Sequence, residues 1–265
     1  MLKTRKVRQQ TRKTLILISF LLFPIIMNYM SPYVIIDGAS QGILNGSFIS
    51  FCLMFAGALF FGRLWCGWAC PAGGLGEIAF AINDRPVGNG RQGKKIDWIK
   101  WAIWVPWLAL IAWAAIAAGG YHSLNFTLDT VNGISVAGDA DRPAIIAYII
   151  YYLVVALFLV LPLLVGKRAS CHTICWMAPF MILGRKLRNL FAGTRFLGAW
   201  PSLRLQADPS RCSDCLTCST HCPMSLDVNG MVKLNAMEND ECILCGSCVD
   251  GCARQAIRYT FSAGK

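Results

Sequence analysis

The sequence contains few charged residues. Asp, Glu, Lys and Arg make up 15% of its 265 residues, whereas hydrophobic residues make up 55% and the mean hydropathy is +0.50. A soluble globular domain is usually about a quarter charged. The shortage of charge excludes an ordinary soluble enzyme and indicates an integral membrane protein.

Motifs for several common redox cofactors are also missing. The sequence has no C-x-x-C-H haem-attachment motif, no glycine-rich dinucleotide fingerprint and no recognisable flavin-attachment motif. These motifs mark the binding of haem and of hydride-carrying cofactors. The chain therefore shows no site of its own for hydride chemistry.

Acidic residues are absent from the N-terminal arm, although the chain as a whole carries both signs of charge. Residues 3–13 contain six basic residues and no acid, while the region from Arg211 onward has five basic and six acidic residues. The net charge of +11 thus comes from basic residues that flank apolar runs. This is the distribution of a membrane-topology signal, so we expect no nucleic-acid partner.

Four apolar segments are long enough to cross a bilayer core of about 30 Å as helices. They are residues 14–36, 47–65, 98–118 and 144–165. The sequence predicts a mainly α membrane protein whose residues 1–200 form a four-helix transmembrane bundle. The first apolar stretch exceeds a signal-peptide core and lacks a convincing cleavage site, so we expect it to be retained.

Loop charges predict the orientation of this bundle. Basic residues cluster in the N-terminal arm, in the 66–97 connection and after the fourth segment, whereas loops 37–46 and 119–143 are mostly neutral or acidic. The positive-inside rule then places both termini in the cytoplasm. We expect a multi-pass protein of the cytoplasmic (inner) membrane.

Cysteine is plentiful, and eight of the 13 cysteines fall in two C-terminal runs, CSDCLTCSTHCP from Cys212 and CILCGSCVDGCA from Cys242. Each run reads C-x2-C-x2-C-x3-C, the spacing of bacterial two-cluster ferredoxins, in which the fourth cysteine of each run ligates the other cluster. The spacing predicts an α+β ferredoxin-like domain over residues 201–265 with two [4Fe–4S] clusters. The expected ligands are Cys212, Cys215, Cys218 and Cys252 for one cluster, and Cys242, Cys245, Cys248 and Cys222 for the other.

A zinc site or a disulfide framework is the alternative interpretation of these runs. Zinc sites need only four ligands, whereas two repeated runs of four cysteines suit two cubane clusters. A cytoplasmic location also disfavours disulfides. Iron–sulfur ligation is therefore the preferred prediction.

Two further cysteine pairs lie at the predicted cytoplasmic ends of apolar segments, in GRLWCGWACPAG (62–73) and KRASCHTICWMAP (167–179). Both have C-x3-C spacing, and aligning Cys66 with Cys171 also aligns Arg63 with Arg168. This pattern suggests a duplicated two-helix unit, although Pro71 then aligns with Trp176. The pairs at one depth predict an additional iron–sulfur centre held by Cys66, Cys70, Cys171 and Cys175; simple core cysteines are the alternative.

With these motifs placed, the sequence resembles the NapH/NosR-type family of polyferredoxin-like membrane proteins. That family includes quinol dehydrogenase subunits of nitrate and nitrous oxide respiration and related oxidase-maturation proteins. The resemblance covers nearly the whole chain and is carried by GRLWCGWACP and the C-terminal runs, while CHTIC matches only in its cysteines. It implies a redox link, within a hetero-oligomer, between menaquinone or ubiquinone and a partner oxidoreductase.

The resemblance leaves other functions open. The chain could instead be a redox factor that serves maturation of a respiratory metalloenzyme, or an anchor that docks another redox protein. Arg63, Trp68, Arg168 and Trp176 are candidates for lining a quinone or cluster site. The two arginines could equally be anchors at the membrane interface.

Overall fold

The computed structural model describes residues 2–87, 97–128, 130, 134–135, 144–191 and 201–262, with side chains described from Val7 onward and excluding that of Ala144. A helical part is followed by a small α+β part. The helical part contains α1 (Leu2–Leu21), α2 (Phe23–Ile26), a 3-10 turn (Met27–Met30), α3 (Pro32–Ser40), β1 (Ile43–Asn45), α4 (Gly46–Phe61), α5 (Leu64–Trp68), α6 (Pro71–Ile82), α7 (Trp98–Ala117), β2 (Ser123–Asn125), α8 (Ala144–Val165), α9 (Ala169–Thr173) and α10 (Ala178–Leu190).

The α+β part begins after residue 200. It contains β3 (Ser202–Ala207), a 3-10 turn (Pro209–Arg211), α11 (Thr217–Thr220), α12 (Val228–Lys233), α13 (Ser247–Gly251) and β4 (Ile257–Ser262). Strands β3 and β4 pair antiparallel, from Ser202 opposite Ser262 to Ala207 opposite Ile257. The two cysteine runs lie between these strands, so the sheet closes the domain around them.

Two helices of the described chain are long and apolar enough to cross a membrane, namely α7 and, over Ile145–Val165, α8. Both match predicted segments closely. Their exposed faces carry large apolar side chains such as Trp113, Ile149 and Leu153, which would be unfavourable in water. This composition indicates membrane association.

The first two predicted segments differ from straight spans. Residues 14–36 are not one helix, because the chain bends by 57° between Val7–Leu21 and Phe23–Met30, which count as a third span only if taken together. Pro24, in the first turn of α2, has no N–H to continue the ladder of α1. The second segment is a 16-residue helix, α4, that ends at Gly62 with φ +54°. The predicted bundle of four full-length helices therefore reduces to two long helices, a bent pair and a short helix.

The two ends of the helical part carry different structures, which form two layers of the molecule. At one end, β1 and β2 pair in parallel, with Ile43 opposite Ser123. At the other end, Arg63 after α4 and Lys100 on α7 both reach Glu241 of the α+β part. Loops 37–46 and 119–126 thus lie together on the side away from the C-terminal cysteines.

Candidate iron–sulfur centres

The eight C-terminal cysteines surround two small cavities. The lining of one includes Cys212, Cys215, Cys218 and Cys252. The lining of the other includes Cys222, Cys242, Cys245 and Cys248. The structure brings together the two crossed sets of thiols that the run spacing predicts. Four thiols around a small cavity form a donor set suited to a cubane cluster.

The local backbone explains how each run wraps around its cavity. Leu216 and Gly246, which follow the second cysteine of each run, both have positive φ, of 59° and 77°. Each then begins a short helix, α11 or α13, that carries the third cysteine. Nitrogen donors also face the sulfurs, since the backbone N–H of Ala256 donates to Cys252 Sγ at 3.3 Å. Such N–H···S contacts are among the protein's means of tuning a cluster potential.

The two C-x3-C motifs have similar backbone structures, which differ at Arg63 (φ −91°) and Arg168 (φ +48°). In each, the first cysteine lies on a short helix, α5 or α9, and the arginine three residues before it is the N-cap. The N–H of Cys70 donates to Trp65 O at 3.0 Å, and the N–H of Cys175 donates to the equivalent Ser170 O at 3.1 Å. The internal repeat therefore extends from the aligned residues to their hydrogen bonds.

In the first repeat Pro71 directly follows Cys70, whereas in the second repeat the nearest proline after Cys175 is Pro179. Pro71 occupies the first turn of α6, where a missing N–H is harmless. In the second repeat Pro179 occupies the first turn of α10. The helix after each cysteine pair thus starts with a proline, although the two motifs differ in sequence.

All four membrane cysteines are buried, with exposed fractions of 4–8%. Burial, and then the neighbouring thiols of Cys66, Cys175 and Cys171, raise the pKa of Cys70. Burial, and then Cys171 and Cys66, raise the pKa of Cys175 to about 12. The two pairs therefore lie within electrostatic reach of one another at the junction of the two repeats.

The repeated spacing also places two arginines beside these thiols. Arg168 Nη1 donates to Cys66 O at 3.0 Å, which ties the second repeat to the first. Arg63 lies near both Cys66 and Cys175; burial opposes its charge, but Glu241 and then these thiols raise its pKa. Both guanidinium groups are about 98% buried or more, so neither arginine is an anchor at the membrane surface.

Two carboxylates each neutralise a pair of these buried cations. Glu77 on α6 accepts from Arg12 at 2.9 Å and from Arg168 at 2.8 Å. Glu241 accepts from Arg63 at 2.7 Å and also pairs with Lys100. Burial opposes the ionisation of both acids, but the charges of their cation partners outweigh it and lower each pKa to about 2. Both acids are therefore ionised at neutral pH.

Some donors of the arginines face no hydrogen-bond acceptor. Within the described residues, Arg63 Nε and Nη2 and Arg168 Nε are buried without a partner. A centre held by four thiolates is rich in electron density, and free guanidinium donors beside it would offset that charge. The donor set and these unpaired atoms together fit an iron–sulfur centre at the membrane cysteines.

His172 lies between Cys171 and Cys175 in the sequence, but its side chain faces carboxylates. Its Nδ1 lies 3.0 Å from Asp97 Oδ1 and 3.9 Å from Glu241 Oε2. Sequence reasoning did not single out Asp97, Glu77, Lys100 or Glu241. Their partners lie far away in the chain, and no motif connects them.

A large apolar cavity lies beside the second cysteine of each pair. Its volume is about 210 Å³, and the residues that directly follow the cysteines, Pro71 and Ala72 after Cys70 and Trp176 and Met177 after Cys175, form part of its wall. Further lining residues come from α2, from the 3-10 turn after it and from one face of α8. Asn28, Ser31, Ser135 and Tyr33 supply polar groups to an otherwise apolar lining.

The four candidate quinone or cluster residues do not meet in this cavity. Trp176 lines it and donates its indole N–H to Met30 O at 2.9 Å. Trp68 lines a second apolar cavity on the α4 side and donates to Leu244 O at 3.1 Å. Arg63 and Arg168 are held in the ion pairs described above. The structure thus separates Trp176, at the cavity, from Arg63 and Trp68, which contact the α+β part, and from Arg168, which pairs with Glu77 within the helical part.

Comparison with known families agrees with the cysteine geometry. A family described as a 4Fe–4S binding domain matches twice, at residues 46–95 and 148–193, and each match contains one C-x3-C pair. A family described as a 4Fe–4S dicluster domain matches residues 204–253, which contain both C-terminal runs. The chain is an iron–sulfur, ferredoxin-like protein. The repeated match also coincides with the two structural repeats.

Two curated relatives come from Methanocaldococcus jannaschii. The chain is 24% identical to uncharacterized protein MJ0749 over 206 residues, which are 75% of this chain and 65% of the relative. It is 21% identical to uncharacterized protein MJ0750 over 214 residues, or 78% of this chain and 76% of the relative. The chain thus spans just under two thirds of the first relative. No solved structure matches this ferredoxin-like protein.

Proposed function

We propose that this ferredoxin-like protein is a membrane electron-transfer subunit that links the quinone pool to a partner oxidoreductase. In this proposal the C-terminal domain holds two [4Fe–4S] clusters, in the crossed sets of four cysteines. Cys66, Cys70, Cys171 and Cys175 hold a third iron–sulfur centre. The NapH/NosR-type resemblance supports the same function, with menaquinone or ubiquinone as the membrane reactant and a hetero-oligomeric complex as the setting.

The observation that carries the proposal is the position of the large apolar cavity. A quinone is an apolar molecule with two polar oxygens, and ligand sites of this kind are apolar clefts with a few placed polar groups. The cavity has that character, opens among helices with lipid-type surfaces, and is walled by the residues next to Cys70 and Cys175. A quinone bound there would lie beside the proposed membrane centre.

Oxidation of one quinol in this cavity releases two protons and two electrons. Iron–sulfur clusters, when bound, accept electrons one at a time. The protons leave to water, and the oxidised centre of the partner oxidoreductase takes up the electrons. In the opposite direction, a reduced partner and two protons would convert quinone to quinol.

The proposal is tested by filling the cavity. Val154 on α8 lines it, and Val154→Trp would place an indole ring in the space available to the quinone. Purified, iron-loaded protein is mixed rapidly with a reduced quinone analogue, and cluster reduction is followed by visible absorbance. We expect quinol-driven reduction to slow by at least roughly tenfold, because a bulky group excludes the ligand from its site.

The matched control is Leu53→Trp, which adds the same ring to the second apolar cavity. It should leave the quinol-driven rate unchanged, and dithionite should reduce the clusters equally in wild type and both variants. If quinol reduces no cluster in the wild-type protein while a partner protein or dithionite does, the quinone link is wrong. A role in maturation or docking would then replace it.

A further inference from the structure

We propose that electrons pass between the membrane cysteines and the C-terminal domain through the cluster of Cys222, Cys242, Cys245 and Cys248, with the Gly67–Trp68 turn as the bridge. The cluster of Cys212, Cys215, Cys218 and Cys252 is then the outer one, which exchanges electrons with the partner. This order deepens the proposed function and rests on its membrane centre. It makes Trp68 a positioning residue of the redox path instead of a quinone-lining residue.

The first argument is the division of the membrane thiols between two buried cores. Cys70 and Cys175 pack in one core with Met30 and Met177, two residues that line the large apolar cavity. Cys66 and Cys171 pack in another core that also holds Ile243, the inner-cluster residues Cys222, Cys245 and Cys248, and Cys218 of the other set. One side of the proposed membrane centre therefore faces the cavity, and the other faces the C-terminal domain.

The second argument is the close contact made by the α5 turn. A Cβ added to Gly67 would lie 2.3 Å from Ile243 O and 3.5 Å from Cys245 Cα, so only glycine lets the two backbones meet there. Next to it, the Trp68 indole N–H donates to Leu244 O at 3.1 Å. Gly67 and Trp68 lie between Cys66 and Cys70, and Ile243 and Leu244 lie between Cys242 and Cys245. A short path of covalent bonds and one hydrogen bond thus connects the membrane cysteines with the ligands of the second-run cluster.

Other contacts fix the same side of the domain against the helices. Gln9 on α1 donates to Cys245 O at 3.1 Å, and Lys167, beside Arg168, donates to Thr220 O at 2.6 Å. Ser225 Oγ accepts from the N–H of Val87 at 3.0 Å. Thr220 and Ser225 flank Cys222, the crossing ligand of the second-run cluster. Both chain segments that hold this cluster are therefore docked on the helical part.

The other cluster site is more exposed. Cys215 is exposed and the neighbouring Leu216 is 53% exposed, although Cys218 is buried; in the inner set Cys222, Cys245 and Cys248 are buried and Cys242 is half-buried. A site open to solvent is accessible to a partner protein. The geometry thus gives a path from the cavity, through the membrane centre and the buried cluster, to the exposed cluster.

The step itself is the transfer of one electron at a time, with no bond formed or broken. In the test the reductant is dithionite, and the oxidised iron–sulfur centres are the acceptors. Reduced centres that lie close together speed up each other's spin relaxation, and electron paramagnetic resonance measures this effect. The order of the centres can therefore be measured without quinone and without turnover.

The experiment uses the full-length, iron-loaded protein reduced by dithionite. Cys248→Ala removes a ligand of the inner cluster, and we expect it to abolish the fast relaxation of the membrane centre. Cys215→Ala removes a ligand of the outer cluster, and we expect that relaxation to remain as in wild type. The reverse result, in which Cys215→Ala abolishes fast relaxation and Cys248→Ala preserves it, would overturn the proposed order.

Trp68→Phe provides a second test that keeps every ligand. It removes the hydrogen bond to Leu244 O while it retains an aromatic ring. We expect normal iron content and normal reduction by dithionite, but roughly tenfold slower reduction of the C-terminal clusters by quinol. Trp65→Phe, on the same helix, is the matched control and should react like wild type. An unchanged rate in Trp68→Phe contradicts the bridge, whereas a wild-type protein that quinol cannot reduce contradicts only the quinone link.

Discussion

At the scale of single residues, buried ion pairs join helices to one another and to the C-terminal domain. Arg63 and Lys100 share Glu241, while Arg12 and Arg168 share Glu77. Taking charges out of water is costly, and a close partner of opposite sign offsets much of that cost. The Glu241 group therefore makes the position of the C-terminal domain specific, whereas the Glu77 group joins α1, α6 and the second cysteine repeat within the helical part.

Glu241→Gln tests this dependence. The substitution keeps the size of the side chain but leaves Arg63 and Lys100 with no neutralising charge. Removal of one partner from a buried ion pair costs about 3–5 kcal/mol, so we expect the free energy of unfolding to fall by about that amount. Denaturant unfolding of the purified protein in detergent measures it.

Asp214→Asn is the control for Glu241→Gln. Asp214 pairs with Lys233 at 2.8 Å, but both side chains are more than half exposed. Exposed ion pairs are screened by water and contribute little to stability. A loss in Glu241→Gln no larger than that in Asp214→Asn would show that Glu241 does not carry the docking.

At the scale of elements, the repeat of a short cysteine-bearing helix followed by a proline-started helix is the main feature. α5 and α9 present Cys66 and Cys171, and the breaks after them present Cys70 and Cys175. Residues four apart would share one face of a continuous helix. In this structure the short helix ends between the two cysteines of a pair. The two thiols therefore lie on different elements, and both can face the junction of the repeats.

Replacing all four membrane cysteines by serine tests whether they hold a redox centre. Two cubane clusters account for about eight irons per chain, and a third centre would add to that number. We expect the wild type to exceed eight irons and the fourfold variant to lose the excess while it keeps the C-terminal clusters. Iron analysis and electron paramagnetic resonance of the dithionite-reduced protein measure both.

Cys52→Ser is the matched control, because Cys52 is an exposed thiol on α4, remote from the motifs. Its iron content should equal that of wild type. If fully loaded wild type contains only about eight irons, and the fourfold variant contains the same number, the third centre does not exist.

Sequence patterns predicted some elements much better than others. α7 and α8 fall almost exactly on apolar runs 98–118 and 144–165, since uninterrupted apolar composition is a direct signal of such helices. The bend after α1 was not predicted, although Pro24 was visible in the sequence. A proline is tolerated in many membrane helices, so its presence alone does not reveal whether the helix breaks.

The candidate site shows the same contrast. The cysteine sets around the two small cavities could be assigned from spacing alone, because ligand spacing follows from cluster geometry. The roles of Arg63 and Arg168 could not, since Glu241 and Glu77 carry no sequence signal that links them to these arginines. The sequence made Trp68 a candidate for lining a quinone or cluster site. Its hydrogen bond to Leu244 O could not be predicted, because no motif links the two residues.

The arrangement of the whole molecule in two layers leads to a topology prediction. β1 and β2 join loops 37–46 and 119–126 on one side, and the C-terminal domain docks on the other. The positive-inside rule predicts that the first side faces away from the cytoplasm and that both termini face it. Reporter fusions should therefore place residue 125 outside and the C-terminus inside.

The two fusion sites serve as controls for each other, because a reporter active only outside should respond at residue 125 and remain silent at the C-terminus. A cytoplasmic location for residue 125, or an external one for the C-terminus, would reverse the orientation. The pairing of β1 with β2 further requires that a fusion at residue 42 report the same side as one at residue 125.

The docking ion pairs have a consequence for the order in which the protein is made. The carboxylates that neutralise Arg8, Arg63, Lys100 and Arg185 belong to residues 238–250, which follow all the helices of the helical part. A ribosome reaches these residues after it has made those helices, so the growing chain first carries the cations without these partners. The same segment supplies Cys242, Cys245 and Cys248, three of the four expected ligands of the inner cluster. Translation therefore delivers the counter-charges and these three ligands together.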